Sequence, residues 1–318
     1  MTTEEFRKAG YKTVDWIANY YDHIEDYPVF PKVKPGEIRS MLPDHPPQKG
    51  RQYEEILQDM NTMMPGITHW QSPNFHAFFP CATSGPAILG DLISTGLGIN
   101  GMNWVTSPSA TELESHVLDW LVDMMDLPKK FKSTEIGGGV LQDTASSSSL
   151  VALIAAREKT SKGDINKNGY NRKLTVYTSS QAHSSIEKAV KIAGIGKNNL
   201  RLVDVDDSFA MDVNHLRKLI LQDIDNGLQP SYVCATVGTT SSTAIDPVEE
   251  IGLICKEFGI WLHVDAAMAG PAALCPEYRF INNGVEYADS YTFNPHKWML
   301  TNFDCSVFYV AKRELLID

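Results

Sequence analysis

Two stretches of the chain place a charged side chain directly after an apolar run. In IWLHVDAAMAG the run ends at Asp265, and a buried carboxylate is costly unless a positive group meets it. In FNPHKWML, Pro295 ends the preceding strand because proline cannot donate to a ladder, and Lys297 follows in the turn. A partly desolvated lysine has a lowered pKa and attacks carbonyls. Most single lysines lie on the surface, so Lys297 indicates a functional site only in combination with the other motifs of the chain.

Two further stretches could bind other parts of a flat anionic ligand. GGGVLQDTASSSSL leads from flexible glycines into a helix near Ala145 and Ser146, where free N–H groups and the helix dipole attract anions. Taken alone, that stretch is better explained by ordinary serine capping. In QAHSSIEKAV, His183 precedes a helix that Ser184 and Glu187 would begin as a capping box. A histidine in that place is more often structural than ligand-binding.

Together these features describe one ligand. It has an anionic group, a flat ring, a cationic ring nitrogen and a carbonyl that reacts with an amine. Pyridoxal phosphate has all four features. A metal site through His263 and Asp265 is the weaker alternative, because the two side chains share one strand face with no third ligand evident.

The elements that must position these residues alternate along the chain from about residue 81. Runs rich in β-branched residues (LTVYT, SYVCATVG, IWLHVDA and SYTF) alternate with helical stretches such as LVALIAAREK and PVEEIGLICKEFG. This alternation predicts an α/β fold with a mostly parallel sheet covered by helices. Ligands of such sheets bind at the carboxyl ends of the strands, where Asp265, Lys297 and His183 are expected. The segment 161–173 is expected to be an exposed loop.

The N-terminal part has a different texture. Thr2 and Glu5 have capping-box spacing, so a helix is expected to begin there. Prolines crowd residues 25–50, which predicts an extended arm that lies along another surface, such as a partner subunit. We therefore expect a helical and extended dimerisation segment over 1–80 and a large cofactor-binding domain over 81–318.

Composition argues against several classes of partner. The 318 residues include 28 Lys and Arg against 39 Asp and Glu, and the net charge of −11 disfavours nucleic acid and anionic membrane surfaces. No apolar run reaches the ~18 residues of a membrane span, and the polar N-terminus is unlike a secretory signal. Five widely spaced cysteines without a CxxC pair favour reduced thiols. A cytoplasmic protein is expected.

These stretches, in this order, resemble the aromatic L-amino-acid decarboxylases, which are group II pyridoxal-phosphate decarboxylases of fold type I, the aspartate-aminotransferase fold. The resemblance runs from TEEFRKAGYKTVDWIANYYDHIE through HWQSPNFHAFFP, NWVTSPSATELE and YTSSQAHSSIEKA to WLHVDAAMAG and ADSYTFNPHKWMLTNFDCS. It implies decarboxylation of tyrosine, dopa, tryptophan or phenylalanine to the amine and carbon dioxide, with pyridoxal 5'-phosphate as cofactor. It also implies a homodimer with the active site between subunits.

The resemblance implies roles for individual residues. Lys297 would form the Schiff base with the cofactor, Asp265 would pair with the protonated pyridine nitrogen, and His183 would stack on the ring and touch the substrate. The other implied cofactor contacts are Ala145, Ser146, Thr240, Asn294 and His296. The implied substrate pocket is lined by His183 together with Pro80, Cys81 and Trp104.

Several features depart from the family pattern, and they leave the substrate open rather than the cofactor. Cys81 stands where animal members have threonine, Met268 where many have tyrosine, and Asp143 where many have glycine. A larger departure is the end of the chain at Asp318. Members continue with a mobile loop, whose tyrosine is assigned to protonation of the carbanion, and with a C-terminal small domain. A fragment of a longer protein is therefore expected.

Three alternatives stay open. A related enzyme could decarboxylate histidine or an acidic amino acid. An aromatic aldehyde synthase would use the same cofactor but let oxygen attack, and hydrogen peroxide and ammonia would accompany the aldehyde. A chain that truly ends at Asp318 would be a non-catalytic fragment.

Overall fold

The chain divides into two compact units, Met1–Cys81 and Ala82–Asp318. The structure is a computed structural model that describes residues 1–170 and 173–317. Within those ranges, the first unit contains three α-helices, and the second contains a seven-stranded sheet flanked by helices.

One mixed sheet forms the centre of the second unit. Its strands are β1 (Gly138–Gln142), β2 (Leu174–Ser179), β3 (Leu200–Val203), β4 (Gln229–Thr236), β5 (Trp261–Asp265), β6 (Ser290–Phe293) and β7 (Ser306–Val310). Their order across the sheet is β1-β7-β6-β5-β4-β2-β3. The run from β6 to β3 is parallel throughout, and β7 is antiparallel to both β1 and β6. The predicted mostly parallel sheet is confirmed, whereas the sequence patterns did not indicate the antiparallel edge.

Helices cover both faces of this sheet. The α-helices are α1 (Thr3–Asp22), α2 (Glu37–Met41) and α3 (Tyr53–Met63) in the first unit, and α4 (Gly85–Leu97), α5 (Pro108–Met124), α6 (Ala145–Ser161), α7 (Asp164–Asn168), α8 (Ser185–Ile192), α9 (Val213–Asp225), α10 (Val248–Phe258) and α11 (Pro295–Trp298) in the second. One apolar cluster joins α5, α9 and α10 to the sheet, and another joins α6 and α8 to it. Tyr232 and Val233 are adjacent in β4 yet belong to different clusters, so the clusters lie on opposite faces. Each fully buried aliphatic side chain in them contributes roughly 1.5–3 kcal/mol.

The helix predicted at the N-terminus is confirmed together with its capping box. The hydroxyl of Thr2 accepts from the Glu5 N–H at 3.2 Å, and the Glu5 carboxylate accepts from the Thr2 N–H at 2.6 Å. The proline-rich segment 25–50 has no strand, but it does contain α2, which the prediction of an extended arm missed. This helix fits between Pro35 and Pro43 because the residues between them include no proline.

Two of the three glycines before α6, Gly138 and Gly139, belong to β1, so the prediction of a flexible approach to that helix is wrong. This strand pairs with β7, and Gly137 directly precedes it. A Cβ on Gly139 would lie 2.5 Å from the ring of Tyr309, and a Cβ on Gly137 would lie 2.2 Å from the carbonyl oxygen of Lys130. Glycine is required at both positions because neighbouring atoms pack closely against the strand.

The exposed loop predicted over 161–173 is only partly correct. The helix α6 extends to Ser161, and α7 lies within the segment and buries Ile165. A single apolar residue in DINKN is too short a signal for helical periodicity. Residues 171 and 172, on which the prediction also falls, lie outside the described residues.

The helix predicted at Ser184 forms, but its predicted capping box does not. Ser184 has helical dihedral angles, φ −59° and ψ −11°, and its side chain makes no capping bond. The N–H of Ser185 donates instead to Nδ1 of His183 at 3.2 Å. The carboxylate of Glu187 pairs with Lys191. The cap of α8 is therefore the histidine that the sequence singled out for a different reason.

Three classes of feature are absent from the part of the chain that the structure describes. Every helix there is too short or too polar to cross a membrane. None of the five cysteines is in a disulfide. Within residues 1–170 and 173–317, no group of three or more His, Cys, Asp or Glu side chains could hold a metal ion.

Candidate active site

The carboxyl ends of three neighbouring parallel strands bring the predicted catalytic residues to one edge of the sheet. The strand β5 ends at Asp265, and β6 leads through Asn294 into α11, which carries Lys297. On the other side of β5, β4 ends at Thr236, which stands opposite Asp265 in the register. Each apolar strand is thus followed by polar residues, and these polar residues lie at the same carboxyl edge of the sheet.

Asp265 is a carboxylate with almost no solvent exposure. Its exposed fraction is 5%, and the N–H of Ala267 donates to Oδ1 at 3.0 Å. Burial raises the pKa of Asp265, while the Ala267 N–H and the positive charge of Lys297 lower it. Across residues 1–170 and 173–317, no salt bridge to this carboxylate forms. The site is therefore suited to a cationic atom of a ligand.

Lys297 is half-buried on α11. Burial lowers the pKa of Lys297, and the negative charge of Asp265 raises it in part. The N–H of Asn294 donates to the carbonyl of Ala267 at 3.3 Å, and the N–H of Lys297 donates to the carbonyl of Asn294 at 3.1 Å. These bonds connect the lysine to the segment that follows Asp265. A lowered pKa increases the unprotonated fraction of the amine, which is its nucleophilic form.

His183 lies in the loop between β2 and α8. Its Nδ1 accepts from the Ser185 N–H, so the neutral ring carries its proton on Nε2. The side chain is exposed on one side. Loss of hydration on the packed side lowers the pKa of His183, and the charge of Asp265 opposes that change. The neutral imidazole therefore offers a flat face and one N–H donor.

His296, next to the lysine, is fixed inside the protein. It is 1% exposed, its Nδ1 accepts from the Cys305 N–H at 2.9 Å, and its ring stacks on Phe303 with centroids 4.1 Å apart. Burial lowers the pKa of His296. The ring anchors α11 to the segment before β7, and its contact with a cofactor stays a prediction.

The predicted anion site lies at the start of α6. Because Gln142 at the end of β1 pairs with Ser306 at the start of β7, α6 begins at the same sheet edge as α11. The hydroxyl of Thr144 caps the helix and accepts from the N–H of Ser147 at 3.4 Å. The other two residues of the predicted site are Ala145, which is buried, and Ser146, which is exposed. The first-turn N–H groups and the dipole favour an anion here.

Thr240 lies in an exposed turn after β4, at this edge. Gly238 begins the turn with φ +82°, and a Cβ there would lie 2.7 Å from the Cβ of Ala269. The hydroxyl of Thr239 accepts from the Ala244 N–H at 3.0 Å and closes the turn. The glycine is required because the turn passes closely over the segment that follows β5.

The predicted substrate residues lie in both units. Pro80 and Cys81 are half-buried at the end of the first unit. Trp104, in the second unit, is 56% exposed, and its Nε1 donates to the carboxylate of Glu112 at 2.9 Å. The role of all three in substrate binding stays a prediction.

Buried oxygen atoms without a hydrogen-bond partner gather at the same edge. Among the described residues they include Oγ1 of Thr236, Oδ1 of Asn294 and Oγ of Ser306. An unsatisfied buried polar group costs about 1–3 kcal/mol, and native proteins retain few of them. The sequence patterns did not indicate Thr236 and Ser306, whose only signal is their place at the ends of apolar runs.

A mostly parallel sheet with an aspartate and a lysine at the ends of adjacent strands is typical of pyridoxal-phosphate proteins of fold type I. The family model that matches the chain over residues 35–318 is the pyridoxal-dependent decarboxylase conserved domain. The match covers most of the sequence, and the chain belongs to this family.

Curated relatives from plants and animals are similar over nearly all of the chain. Phenylacetaldehyde synthase of Arabidopsis thaliana is 48% identical over 99% of this chain and 65% of its own length. Tryptophan decarboxylase 2 of Oryza sativa subsp. japonica is 46% identical, with coverages of 100% and 64%. Aromatic-L-amino-acid decarboxylase of Mus musculus is 46% identical, with coverages of 98% and 66%. The chain thus spans a little less than two thirds of each of these relatives.

Solved structures agree with the predicted fold type. Tryptophan decarboxylase of Catharanthus roseus in complex with L-tryptophan has a TM-score of 0.95 and 44% identity, over 100% of this chain and 68% of that one. The 4-hydroxyphenylacetaldehyde synthase of Rhodiola rosea has a TM-score of 0.95 and 42% identity, with the same coverages. The fold type I prediction is confirmed.

The residues at the sheet edge fit pyridoxal phosphate, the cofactor of this family. The buried carboxylate of Asp265 has no salt bridge to any residue that the structure describes, and it suits a protonated ring nitrogen. Lys297, whose pKa burial lowers, suits an aldehyde. The start of α6 and the buried amide of Asn294 suit a phosphate.

Proposed function

We propose that this chain belongs to an enzyme that decarboxylates an aromatic L-amino acid to the amine and carbon dioxide with pyridoxal 5'-phosphate. The observation that carries the proposal is the pair at the sheet edge. Asp265 is a buried carboxylate without a salt bridge among the described residues, and Lys297 has a pKa lowered by burial. The names of the relatives support the aromatic substrate class.

Three residues would act on the cofactor and the substrate. Lys297 would hold the cofactor aldehyde through its Nζ, and Asp265 would keep the ring nitrogen protonated. When bound, the cofactor supplies a ring that accepts the electron pair of the Cα–carboxylate bond as carbon dioxide leaves. His183 would cover the ring face and offer its Nε2–H to the substrate.

The remaining predicted residues divide between the two ends of the ligand. Ala145, Ser146 and Asn294 would hold the phosphate, with the first-turn N–H groups of α6 as donors. Thr240 and His296 would complete the cofactor contacts. Pro80, Cys81 and Trp104 would line the substrate pocket.

The test is release of carbon dioxide from carboxyl-labelled amino acids by the protein loaded with pyridoxal 5'-phosphate. We expect release from at least one of tyrosine, dopa, tryptophan and phenylalanine. Lys297→Ala should abolish it, and Lys218→Ala, which alters an exposed lysine of α9, should not. No release from any amino acid would contradict the proposal. Preference for histidine or glutamate in a competition panel would instead support the related decarboxylases.

An aromatic aldehyde synthase is a second candidate, favoured by two relatives. The Arabidopsis thaliana and Rhodiola rosea proteins described above are named as aldehyde synthases. Such a reaction consumes one oxygen molecule and one water and releases the aldehyde, carbon dioxide, ammonia and hydrogen peroxide. Peroxide and ammonia in proportion to carbon dioxide would favour this candidate, and amine alone would favour the decarboxylase.

We further propose that the protein is a homodimer and works in the cytoplasm. The helix α4 supports the dimer, because it has no buried residue although Leu92, Ile93 and Leu97 are 54%, 62% and 72% exposed. An exposed apolar helix face of this kind marks an interaction surface. Light scattering should give twice the chain mass, and Leu92→Glu with Ile93→Glu should halve it. A monomeric wild type would contradict the dimer.

A further inference from the structure

Two of the unpartnered oxygens belong to residues that face each other at the end of the β6–β7 ladder. The ladder pairs Phe293 with Val307, so antiparallel pairing places Asn294 beside Ser306. Asn294 keeps an extended backbone, with φ −112° and ψ 97°. Both residues are almost fully buried, with exposures of 4% and 0%. Two buried polar groups that have no hydrogen-bond partner among the described residues are therefore neighbours.

Their side chains point to the same face of the sheet, the face that α6 covers. Phe308 of β7 packs in the cluster that contains α6, and it pairs with Thr292. Side chains alternate along a strand, so Asn294 and Ser306, each two residues from that pair, lie on the same face. Directly opposed residues have Cβ atoms about 4.5–5.5 Å apart, so a change in the χ1 angle of the serine can bring its Oγ within hydrogen-bond distance of the amide oxygen.

We propose that Ser306 is a positioning residue: when the cofactor binds, its hydroxyl, unpartnered in the cofactor-free protein, donates to Oδ1 of Asn294 and turns the amide NH2 toward the cofactor phosphate. A side-chain amide has one acceptor oxygen and one donor nitrogen, so a donor on the oxygen determines where the nitrogen points. Ser306 is well placed because it pairs with Gln142, shortly before α6 begins. This inference rests on the proposed function and adds a residue to its phosphate site.

A matched pair of variants separates this role from simple packing. Ser231 is also 0% exposed, but its hydroxyl donates to the carbonyl of Thr175 at 2.9 Å. For the cofactor-free protein we expect Ser306→Ala to keep or raise the melting temperature, because an unpartnered hydroxyl is removed. We expect Ser231→Ala to lower it. For pyridoxal 5'-phosphate, Ser306→Ala should weaken binding by about threefold to tenfold, the range of one hydrogen bond, and Ser231→Ala should leave it unchanged.

Pyridoxal, which lacks the phosphate, is the discriminating probe. Absorbance titration of the apo protein should show the Ser306→Ala loss with pyridoxal 5'-phosphate and none with pyridoxal. The loss should also vanish when Asn294 is already alanine. Equal loss with both ligands, no loss with the phosphate ester, or a lower melting temperature of the apo variant would each overturn the inference while leaving the proposed function intact. Failure of the wild type to bind either ligand would overturn both.

Discussion

Two buried aspartates, one in α9 and one at the end of β5, have nearly equal exposure and opposite surroundings. Asp223 is 4% exposed and Asp265 is 5% exposed. Nε and Nη2 of Arg201 donate to the Asp223 carboxylate at 2.9 and 2.8 Å, and the hydroxyl of Tyr177 donates to it at 2.6 Å. The Asp265 carboxylate accepts one hydrogen bond, from the Ala267 N–H, within the described part of the chain.

The difference separates a carboxylate that stabilises the fold from one that is suited to a ligand. A buried charge is costly unless a partner and further hydrogen bonds satisfy it. Asp223 has both within the chain, and the hydrogen bond to it joins burial in raising the pKa of Tyr177. Among the described residues, Asp265 has no salt-bridge partner and accepts only one hydrogen bond. The groups around it belong to the candidate active site. Sequence alone presents both as aspartates near apolar residues.

Asp265→Asn should have the largest effect of the substitutions considered, and it should lower activity without lowering stability. The amide cannot keep a ring nitrogen protonated, so we expect kcat to fall by about 10²–10³-fold, as when one preorganised electrostatic group is removed. The free energy of unfolding of the apo protein should stay level or rise, because an uncompensated buried charge is removed. Rate assays and urea unfolding on one preparation measure both. A variant that lost stability but kept its rate would make Asp265 a structural residue like Asp223.

Asp223→Asn should have the opposite profile. It leaves the Arg201 guanidinium without its carboxylate, so the free energy of unfolding should fall by about 3 kcal/mol. Affinity for pyridoxal 5'-phosphate should not change in the protein that remains folded. Asp225→Asn, an exposed position of the same helix, is the control and should stay within about 0.5 kcal/mol of wild type. Stability equal to that of the control would show that the buried pair does not stabilise the fold.

A third buried carboxylate, Asp246, extends the comparison because it should make the stability of the fold depend on pH. It accepts N–H bonds from Met211 at 2.8 Å and Thr236 at 2.7 Å, yet burial raises the pKa of Asp246 to about 6. The pKa of an aspartate in the unfolded chain is ~3.9, so Asp246 stays protonated to a higher pH in the folded state than in the unfolded state. Stability from this group is thus present below about pH 4 and is lost as pH rises through about 6.

Asp246→Asn should remove that pH dependence. We expect the wild-type free energy of unfolding, minus that of the variant, to fall by about 2 kcal/mol from pH 4 to pH 6.5. The variant also loses an acceptor, so its overall stability should be lower, and only the slope is diagnostic. Urea unfolding at several pH values gives the slope. A parallel pair of curves would contradict the raised pKa.

Two buried tyrosine hydroxyls provide the smallest contrast. The hydroxyl of Tyr177 donates to Asp223, whereas that of Tyr232 has no partner among the described residues. Tyr177→Phe should lower the free energy of unfolding by about 1–2 kcal/mol, and Tyr232→Phe should leave it level or raise it. Thermal unfolding of the two variants measures the difference. Equal losses would mean that hydroxyl partners do not distinguish these sites.

The main elements of the site could be predicted because their signals are local. The strands that end at Asp265 and before Asn294 are β-rich apolar runs, and each stops at a polar residue. Alternation of strand and helix then predicts a shared carboxyl edge, which places Lys297 near Asp265. The capping box of α1 is likewise contained within a few neighbouring residues.

The features that were missed depend on distant partners. The pairing of β1 with β7, and therefore the meeting of Ser306 with Asn294, requires an antiparallel register between segments far apart in sequence. His183 caps α8 because Ser184 has helical dihedral angles and its side chain makes no capping bond. The residue type of Ser184 does not determine those angles. The structural role of Asp223 becomes apparent only from its salt bridge to Arg201, which the sequence does not indicate.

The most direct test of the central claim compares two half-buried lysines. Burial lowers the pKa of both Lys130 and Lys297, but Nζ of Lys130 donates to the carbonyls of Glu286 and Ala288 at 2.8 and 2.6 Å, away from the sheet edge. The protein would be incubated with pyridoxal 5'-phosphate, reduced with borohydride and mapped by peptide mass spectrometry. We predict the reduced adduct on Lys297 and none on Lys130. An adduct on Lys130, or no adduct on Lys297, would contradict the account.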